Sequence, residues 1–233
     1  MNAVITGATK GMGKAIAIQL AKAGYNLAIC SRDQSEIDSF CQSLLADYPS
    51  ITAIGLQTNC SLPNEVDDFA NFVQQHFETV DVLINNVGIF TPGSILDEKE
   101  SSFAEQFQVN VNAAYILSRR FGLQMRRKKS GYIINICSIA AVQPVAEAGS
   151  YTVTKFALYG LTKVLRLELM PHQVKVTAIL PGSTLTSSWE ETTVPKERFI
   201  AADDVANAVM YCLNTTVGSC PEEIIITPTT GQI

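Results

Sequence analysis

Tyr151 and Lys155, within Tyr-Thr-Val-Thr-Lys, set a phenol and an ammonium four residues apart. On a helix this spacing puts both side chains on one face, about one turn apart. A free tyrosine keeps its proton until about pH 10 and is a poor acid or base at neutrality. A cation beside it favours the phenolate, which would bring proton transfer within reach of pH 7. The spacing alone is not diagnostic, because most such pairs are solvated or half-buried helix neighbours. Its meaning depends on what stands nearby. Ser138 closes the apolar run Ile136-Cys137-Ser138, thirteen residues before Tyr151. Asn110, in Val109-Asn110-Val111, falls inside a long helical pattern. Asparagine is unfavourable there unless it is exposed or has a dedicated partner.

The elements that must position these groups alternate along the whole chain. Short apolar, β-rich runs at 3–6, 26–30, 52–57, 82–85, 132–137, 175–180 and 223–227 read as strands. Amphipathic segments near 13–23, 34–46, 64–77, 101–127, 150–170 and 203–213 read as helices. Gly24 closes the first helix, and Ser61 to Pro63 opens the third. Strands that are apolar throughout are covered on both faces, so the expected fold is α/β: a doubly wound, Rossmann-type parallel sheet of about seven strands. No linker or repeat interrupts the pattern, and residues 1–233 are expected to form one nucleotide-binding domain. In such a sheet Ser138 and Tyr151 converge on the crevice at the carboxyl ends of the strands.

The first strand runs into Thr6-Gly7-Ala8-Thr9-Lys10-Gly11-Met12-Gly13 and then a helix. Glycines let the backbone approach a pyrophosphate, and the helix N-terminus presents unpaired N–H groups to it. The spacing is GxxxGxG rather than GxGxxG, so position in the alternation carries the argument more than the motif does. The second strand ends in Cys30-Ser31-Arg32. Ser31 stands where an NAD site usually offers a carboxylate, and Arg32 and Lys10 supply two cations; both favour the 2′-phosphate of NADP(H). Asp33, one residue on, is able to pair with Arg32 and compete. Asn59 either meets the adenine or caps the helix near Pro63. In Asn85-Asn86-Val87-Gly88, the amides either pin neighbouring strand ends or touch the ligand.

Composition excludes other classes. Hydrophobic residues make up 47% and charged residues 17%, which suits a filled core and a buried subunit interface. A net charge of -5 argues against nucleic acid as a partner. The basic run Arg126-Arg127-Lys128-Lys129 ends a helical pattern and complements its dipole. Six cysteines and two histidines show no metal-ligand spacing, so free thiols and no metal are expected. The chain opens in an apolar strand with no leader, and no apolar run reaches the roughly 18 residues of a membrane span. A cytoplasmic protein without a membrane partner is expected.

Taken in order and at their spacing, Thr6 to Gly13, Asn85 to Gly88, Asn110, Ser138, Tyr151 with Lys155, and Pro181-Gly182 resemble the short-chain dehydrogenase/reductase superfamily over nearly the whole chain. The resemblance implies a catalytic tetrad of Asn110, Ser138, Tyr151 and Lys155. In it Ser138 would bond the substrate carbonyl and Tyr151 would donate the proton. Lys155 would bind the nicotinamide ribose and tune Tyr151, and Asn110 would bend its helix to hold a proton-relay water. It implies cofactor contacts at Gly7, Thr9, Lys10, Gly11, Met12, Gly13, Ser31, Arg32, Asn59, Asn86, Gly88, Tyr151 and Lys155, with Pro181, Gly182 and Thr186 along the nicotinamide side. Lys10 and Arg32 resemble the NADPH-preferring members. Homodimers or homotetramers, pairing through the helices at 101–127 and 150–170, are implied as well. Three departures stand out: Val87 replaces the usual alanine, Asn59 the usual aspartate, and the tail lacks the usual Asp-Gly-Gly. The tail instead resembles sepiapterin-reductase-like and 3-oxoacyl-reductase-like members.

A small, largely apolar substrate pocket is expected from 139–145, Phe90 and Trp189. Three functions follow: an NADPH-dependent reductase of a small ketone, diketone or acyl group; a 3-oxoacyl-[acyl-carrier-protein] reductase using the basic run; and a non-catalytic NADP(H) sensor. The intact tetrad disfavours the last, because a sensor needs no proton donor.

Overall fold

The computed structural model describes residues 1–186, 189 and 192–233. Seven parallel strands form one sheet in the order β3-β2-β1-β4-β5-β6-β7. They are β1 (Asn2–Thr6), β2 (Asn26–Ser31), β3 (Ala53–Gln57), β4 (Val82–Asn85), β5 (Gly131–Ile136), β6 (Val174–Pro181) and β7 (Glu223–Ile226). The doubly wound α/β expectation holds. Strand β1 pairs with β2 on one side and β4 on the other, so the winding reverses between β1 and β4. Ligand crevices of open α/β sheets lie at such a reversal.

The interior strands have to be apolar throughout because helices cover both faces. On one face α1 (Gly11–Lys22), α2 (Gln34–Asp47) and α7 (Ala202–Leu213) bury Ile16, Leu20, Ile37 and Val209 against Ile5, Ile29 and Ile84. On the other, α3 (Pro63–His76) and α5 (Ala113–Lys128) bury Phe69, Val73, Leu117 and Phe121 against Val4, Leu83 and Ile133. Each large side chain fully buried this way contributes about 1.5–3 kcal/mol. Helix α6 (Gly149–Leu169), which carries Tyr151 and Lys155, packs Leu158 against Ala178 and Leu180 of β6.

The region 101–127 differs from the single helix its periodicity predicts. Helix α4 (Glu100–Phe107) passes into a π turn at Gln108–Asn112 and then into α5. π turns widen a helix locally and depend on stabilisation from outside it. Here the outside partner is Ile89, early in the loop after β4. Its backbone N–H and C=O both bond the Asn110 side chain, at 2.8 and 3.0 Å.

The basic run at the end of α5 is used locally. Lys128 pairs with Asp81 at 2.5 Å, and Lys129 closes the helix in a left-handed conformation. Asp81 immediately precedes β4, so this cluster sits at the amino end of the sheet, opposite the crevice. All six cysteines are free. Among the described residues no helix is long and apolar enough to cross a membrane.

Candidate active site

The glycine loop between β1 and α1 bends through left-handed conformations at Gly7 (φ 66°) and Gly11 (φ 52°), which side chains rarely adopt. No side chain caps α1 at Lys10, and no acid stands in its first turn. Its leading N–H groups and positive dipole end therefore face the crevice unopposed. A Cβ at Gly13 would overlap the Gly7 carbonyl oxygen and crowd Asn86 Nδ2. Gly13 thus packs the start of α1 directly beneath the loop, and it is not among the residues lining the cleft.

A cleft of about 460 Å³ opens over this loop. Gly7, Thr9, Lys10, Gly11 and Met12 line it from the loop, Ser31 and Arg32 from the end of β2, and Asn59 from the segment after β3. Asn86 and Gly88 line it from the segment after β4, and Thr186 closes over Gly11, with its methyl 3.2 Å from where a Gly11 Cβ would be. The alternatives for Asn85 and Asn86 resolve toward tying strands together. Asn85 Nδ2 bonds Ser118 and Asn135, both buried, and Asn86 Nδ2 donates to the Thr6 and Gly7 carbonyls at 2.9 and 3.0 Å. Asn86 Oδ1 is buried without a partner among the described residues, so it can accept from a ligand. Asn59 accepts from Ser61 N–H and Oγ, a turn-forming role, while still lining the cleft. Two thiols form part of the cleft lining. The Cys30–Cys60 hydrogen bond raises the Cys30 pKa, as burial also does, and lowers that of Cys60 against the opposing effect of its own burial.

The cationic corner is more crowded than the sequence suggests. Asp33 does not pair with Arg32; it caps α2, accepting from Glu36 N–H, and its pKa is lowered by the Ser35 hydroxyl and that amide. Glu36, absent from the sequence-based set, turns its carboxylate onto Lys10 at 2.8 Å and accepts from Thr9 Oγ at 3.2 Å. Thr9 and Ser31 share a hydrogen bond of 3.0 Å beside it. The only sequence signal was Asp33-Gln34-Ser35-Glu36, which reads as a helix cap and hides any second role.

Gly88 joins this cleft to Asn110 and Lys155. A Cβ there would stand 3.4 Å from Asn110 Oδ1 and 3.5 Å from Lys155 Nζ. Lys155 is 4% exposed, donates to the Ile136 carbonyl at 3.2 Å, and lies 5.6 Å from the centre of the Tyr151 ring. A buried ammonium with one carbonyl partner has donors to spare for a further ligand. Asn110, 1% exposed, also donates to Thr154 Oγ at 3.0 Å, and Thr154 in turn donates to the Tyr151 carbonyl at 2.8 Å. Thr154 escaped the sequence reading because a threonine inside a helix is ordinary. Ser138 stands two residues beyond the end of β5, its Oγ accepting from Ala140 N–H at 3.1 Å. Cys137 beside it is pushed up to about 11 by burial and is inert at neutral pH.

Around Tyr151, Phe90 packs edge-on at 5.0 Å and remains half exposed. The loop after β4 is pinned to the start of α6: Gly93 bonds Glu147 and Gly149 through the backbone, and Glu98 accepts from Ser150, the residue before Tyr151. Trp189 packs edge-on against Phe199 at 5.0 Å. Pro181 is buried at the end of β6, and Gly182 and Ser183 lie against the Gln232 side chain. Neither Pro181 nor Gly182 lines the cleft.

The short chain dehydrogenase family model matches residues 1–197. The chain belongs to that family. It is 30% identical to 3-oxoacyl-[acyl-carrier-protein] reductase FabG of Staphylococcus epidermidis, over 90% of each chain. An alcohol dehydrogenase from the archaeon Thermococcus sibiricus, complexed with 5-hydroxy-NADP, superposes with a TM-score of 0.91 at 25% identity, covering 100% of this chain and 98% of that one. L-sorbose reductase from Gluconobacter frateurii, complexed with NADPH and L-sorbose, gives 0.89 at 26% identity, covering 97% and 94%. Family membership makes the chain an oxidoreductase; its substrate is a separate question.

Proposed function

We propose that the chain is an NADPH-dependent reductase of a small carbonyl compound, with Asn110, Ser138, Tyr151 and Lys155 as its catalytic group. The observation that carries this reading is the continuous bonding from Ile89 through Asn110 and Thr154 to Tyr151, with buried Lys155 beside Gly88 at the mouth of the nucleotide cleft. The cleft fits a dinucleotide: an uncapped helix start for the pyrophosphate, and Lys10 and Arg32 for a 2′-phosphate. NADPH, once held, supplies the hydride. Ser138 Oγ holds the substrate carbonyl oxygen, and Tyr151 Oη delivers the proton to it. Lys155 binds the ribose hydroxyls and fixes the place of Tyr151, and Asn110 holds the helix in the wide turn that lets both groups meet. Phe90 and the 139–145 segment flank a modest apolar pocket.

A 3-oxoacyl thioester is the second reading, favoured by the similarity to FabG. Of the basic run, Lys128 is bonded to Asp81 at the amino end of the sheet, away from the cleft, while Arg126, Arg127 and Lys129 stay exposed. One experiment separates the readings: a panel of ketones, diketones and 3-oxoacyl thioesters, followed by NADPH oxidation, for wild type and Tyr151→Phe. The variant should retain less than about a tenth of wild-type turnover on the best substrate and bind NADPH almost unchanged. Greater retention would move the proton donor elsewhere. No turnover of any panel member by wild type would favour the sensor.

The outer surfaces of α5 and α6 leave Tyr115, Leu123, Phe156, Val164 and Leu167 exposed, Leu167 by 68%. A patch of this kind on a chain with few charges supports self-association, as a dimer or a tetramer. Light scattering should give at least twice the 25.3 kDa chain mass. A monomer at micromolar concentration would remove the interface.

A further inference from the structure

We propose that Glu36 limits the preference of this chain for NADPH over NADH by placing a carboxylate where the ribose 2′-substituent is read. The inference rests on the nucleotide reading of the cleft and extends it to a residue that weakens the very selectivity Lys10 and Arg32 create.

Glu36 is the third residue of α2, in the position from which a glutamate ordinarily reaches back to the N-cap backbone. Asp33 supplies the first half of that arrangement by accepting from Glu36 N–H at 3.1 Å. The Glu36 side chain leaves the second half unmade. One carboxylate oxygen pairs with Lys10 Nζ at 2.8 Å, and the other accepts from Thr9 Oγ at 3.2 Å. Thr9 is within 3.0 Å of Ser31 Oγ, and all of these residues face the same cleft as Arg32. The carboxylate thus occupies the company of hydroxyls and cations that a 2′-phosphate would seek.

The two ligands meet this carboxylate differently. A phosphate is an anion and an acceptor, so it repels Glu36 and must share or displace it to reach Lys10. A 2′-hydroxyl is a donor, and a carboxylate is the acceptor that NAD sites use for it. Glu36 therefore penalises NADPH and assists NADH. The side chain is 36% exposed, which leaves room for it to swing aside when phosphate enters. The competing explanation is that Glu36 only neutralises the α2 dipole or orients Lys10. It predicts the opposite sign or none.

Calorimetric titration of wild type, Glu36→Gln and Glu36→Ala decides the matter, with Asp38→Asn, on the same helix and away from the cleft, as control. The probes are NADPH, NADH, adenosine 2′,5′-bisphosphate and 5′-AMP, so no turnover is needed. Both Glu36 variants should bind NADPH and the bisphosphate about fivefold more tightly. NADH and AMP should be unchanged or weaker, and the control should move nothing. An unchanged NADPH-to-NADH ratio, or weaker NADPH binding in both Glu36 variants, overturns the proposal. Binding of NADH but not NADPH by wild type overturns the cofactor reading, and this inference with it. Thermal unfolding run in parallel should place both variants close to wild type.

Discussion

The two halves of the crevice are built on opposite principles. In the half that holds Asn110, Ser138, Tyr151 and Lys155, nearly every polar side chain is held by backbone. Asn110 is held by both polar groups of Ile89, Lys155 by the Ile136 carbonyl, and Thr154 by the Tyr151 carbonyl. In the half that holds Lys10, Arg32 and Glu36, side chains are held mainly by one another, and Lys10 has 64% of its side chain in solvent. Main-chain partners fix a group to the accuracy of the fold, and burial leaves no water to replace a lost bond. Exposed side-chain partners are screened and free to rearrange. The first half is suited to placing a reacting atom; the second is suited to choosing between related ligands. Substitutions should divide accordingly, into losses of turnover on one side and shifts of affinity on the other.

The largest expected effect is at Asn110. Asn110→Ala removes the partner of the Ile89 N–H and C=O together and leaves Thr154 Oγ without its donor. Each buried group left unpaired costs on the order of 1–3 kcal/mol, so the π turn should revert toward ordinary helix and shift the phase of α4 against α5. Turnover should fall by about two orders of magnitude, while NADPH affinity changes less than about threefold, because the cleft wall near Lys10 is untouched. The melting temperature should drop by several degrees, roughly 2–4 °C per kcal/mol for a chain of this size. Equal losses of affinity and turnover would break the division between the halves.

How well each half can be seen in the sequence follows from the same contrast. The sheet was legible because parallel strands covered on both faces must be apolar runs, and Ile5, Ile29 and Ile84 lie in such runs. The residues expected at the cleft mostly do line it, because the glycine loop and the strand ends are fixed by local signals: Gly7 and Gly11 in left-handed turns, Ser31 at the last position of β2. The π turn was not legible in the periodicity of 101–127, which suits an uninterrupted helix; only the family resemblance implied a bend at Asn110, because the cause is a bond between residues 21 positions apart. Glu36 was hidden for a different reason. A glutamate three residues after an aspartate is a sufficient cap signal in itself, and nothing local says the side chain leaves the cap for Lys10. Glycine serves both close ligand approach and close packing, and that Gly13 packs on the Gly7 carbonyl shows only once the loop is folded.

The smaller effect, and the sharper test of the second half, is at Arg32. This arginine forms no ion pair among the described residues, and Asp33, its nearest competitor, is engaged in capping α2. A guanidinium in that condition is available for a 2′-phosphate and has little to offer a 2′-hydroxyl. NADPH should bind wild type at least about tenfold more tightly than NADH, and Arg32→Ala should remove most of that margin, about 1.4 kcal/mol. NADH affinity, maximal turnover and melting temperature should all stay near wild type. The margin should also shrink as salt is raised, since the corner is open to solvent, whereas the loss in Asn110→Ala should be indifferent to salt. A salt-insensitive preference for NADPH would mean that the phosphate is read by buried partners, and the two halves of the crevice would then differ in chemistry but not in construction.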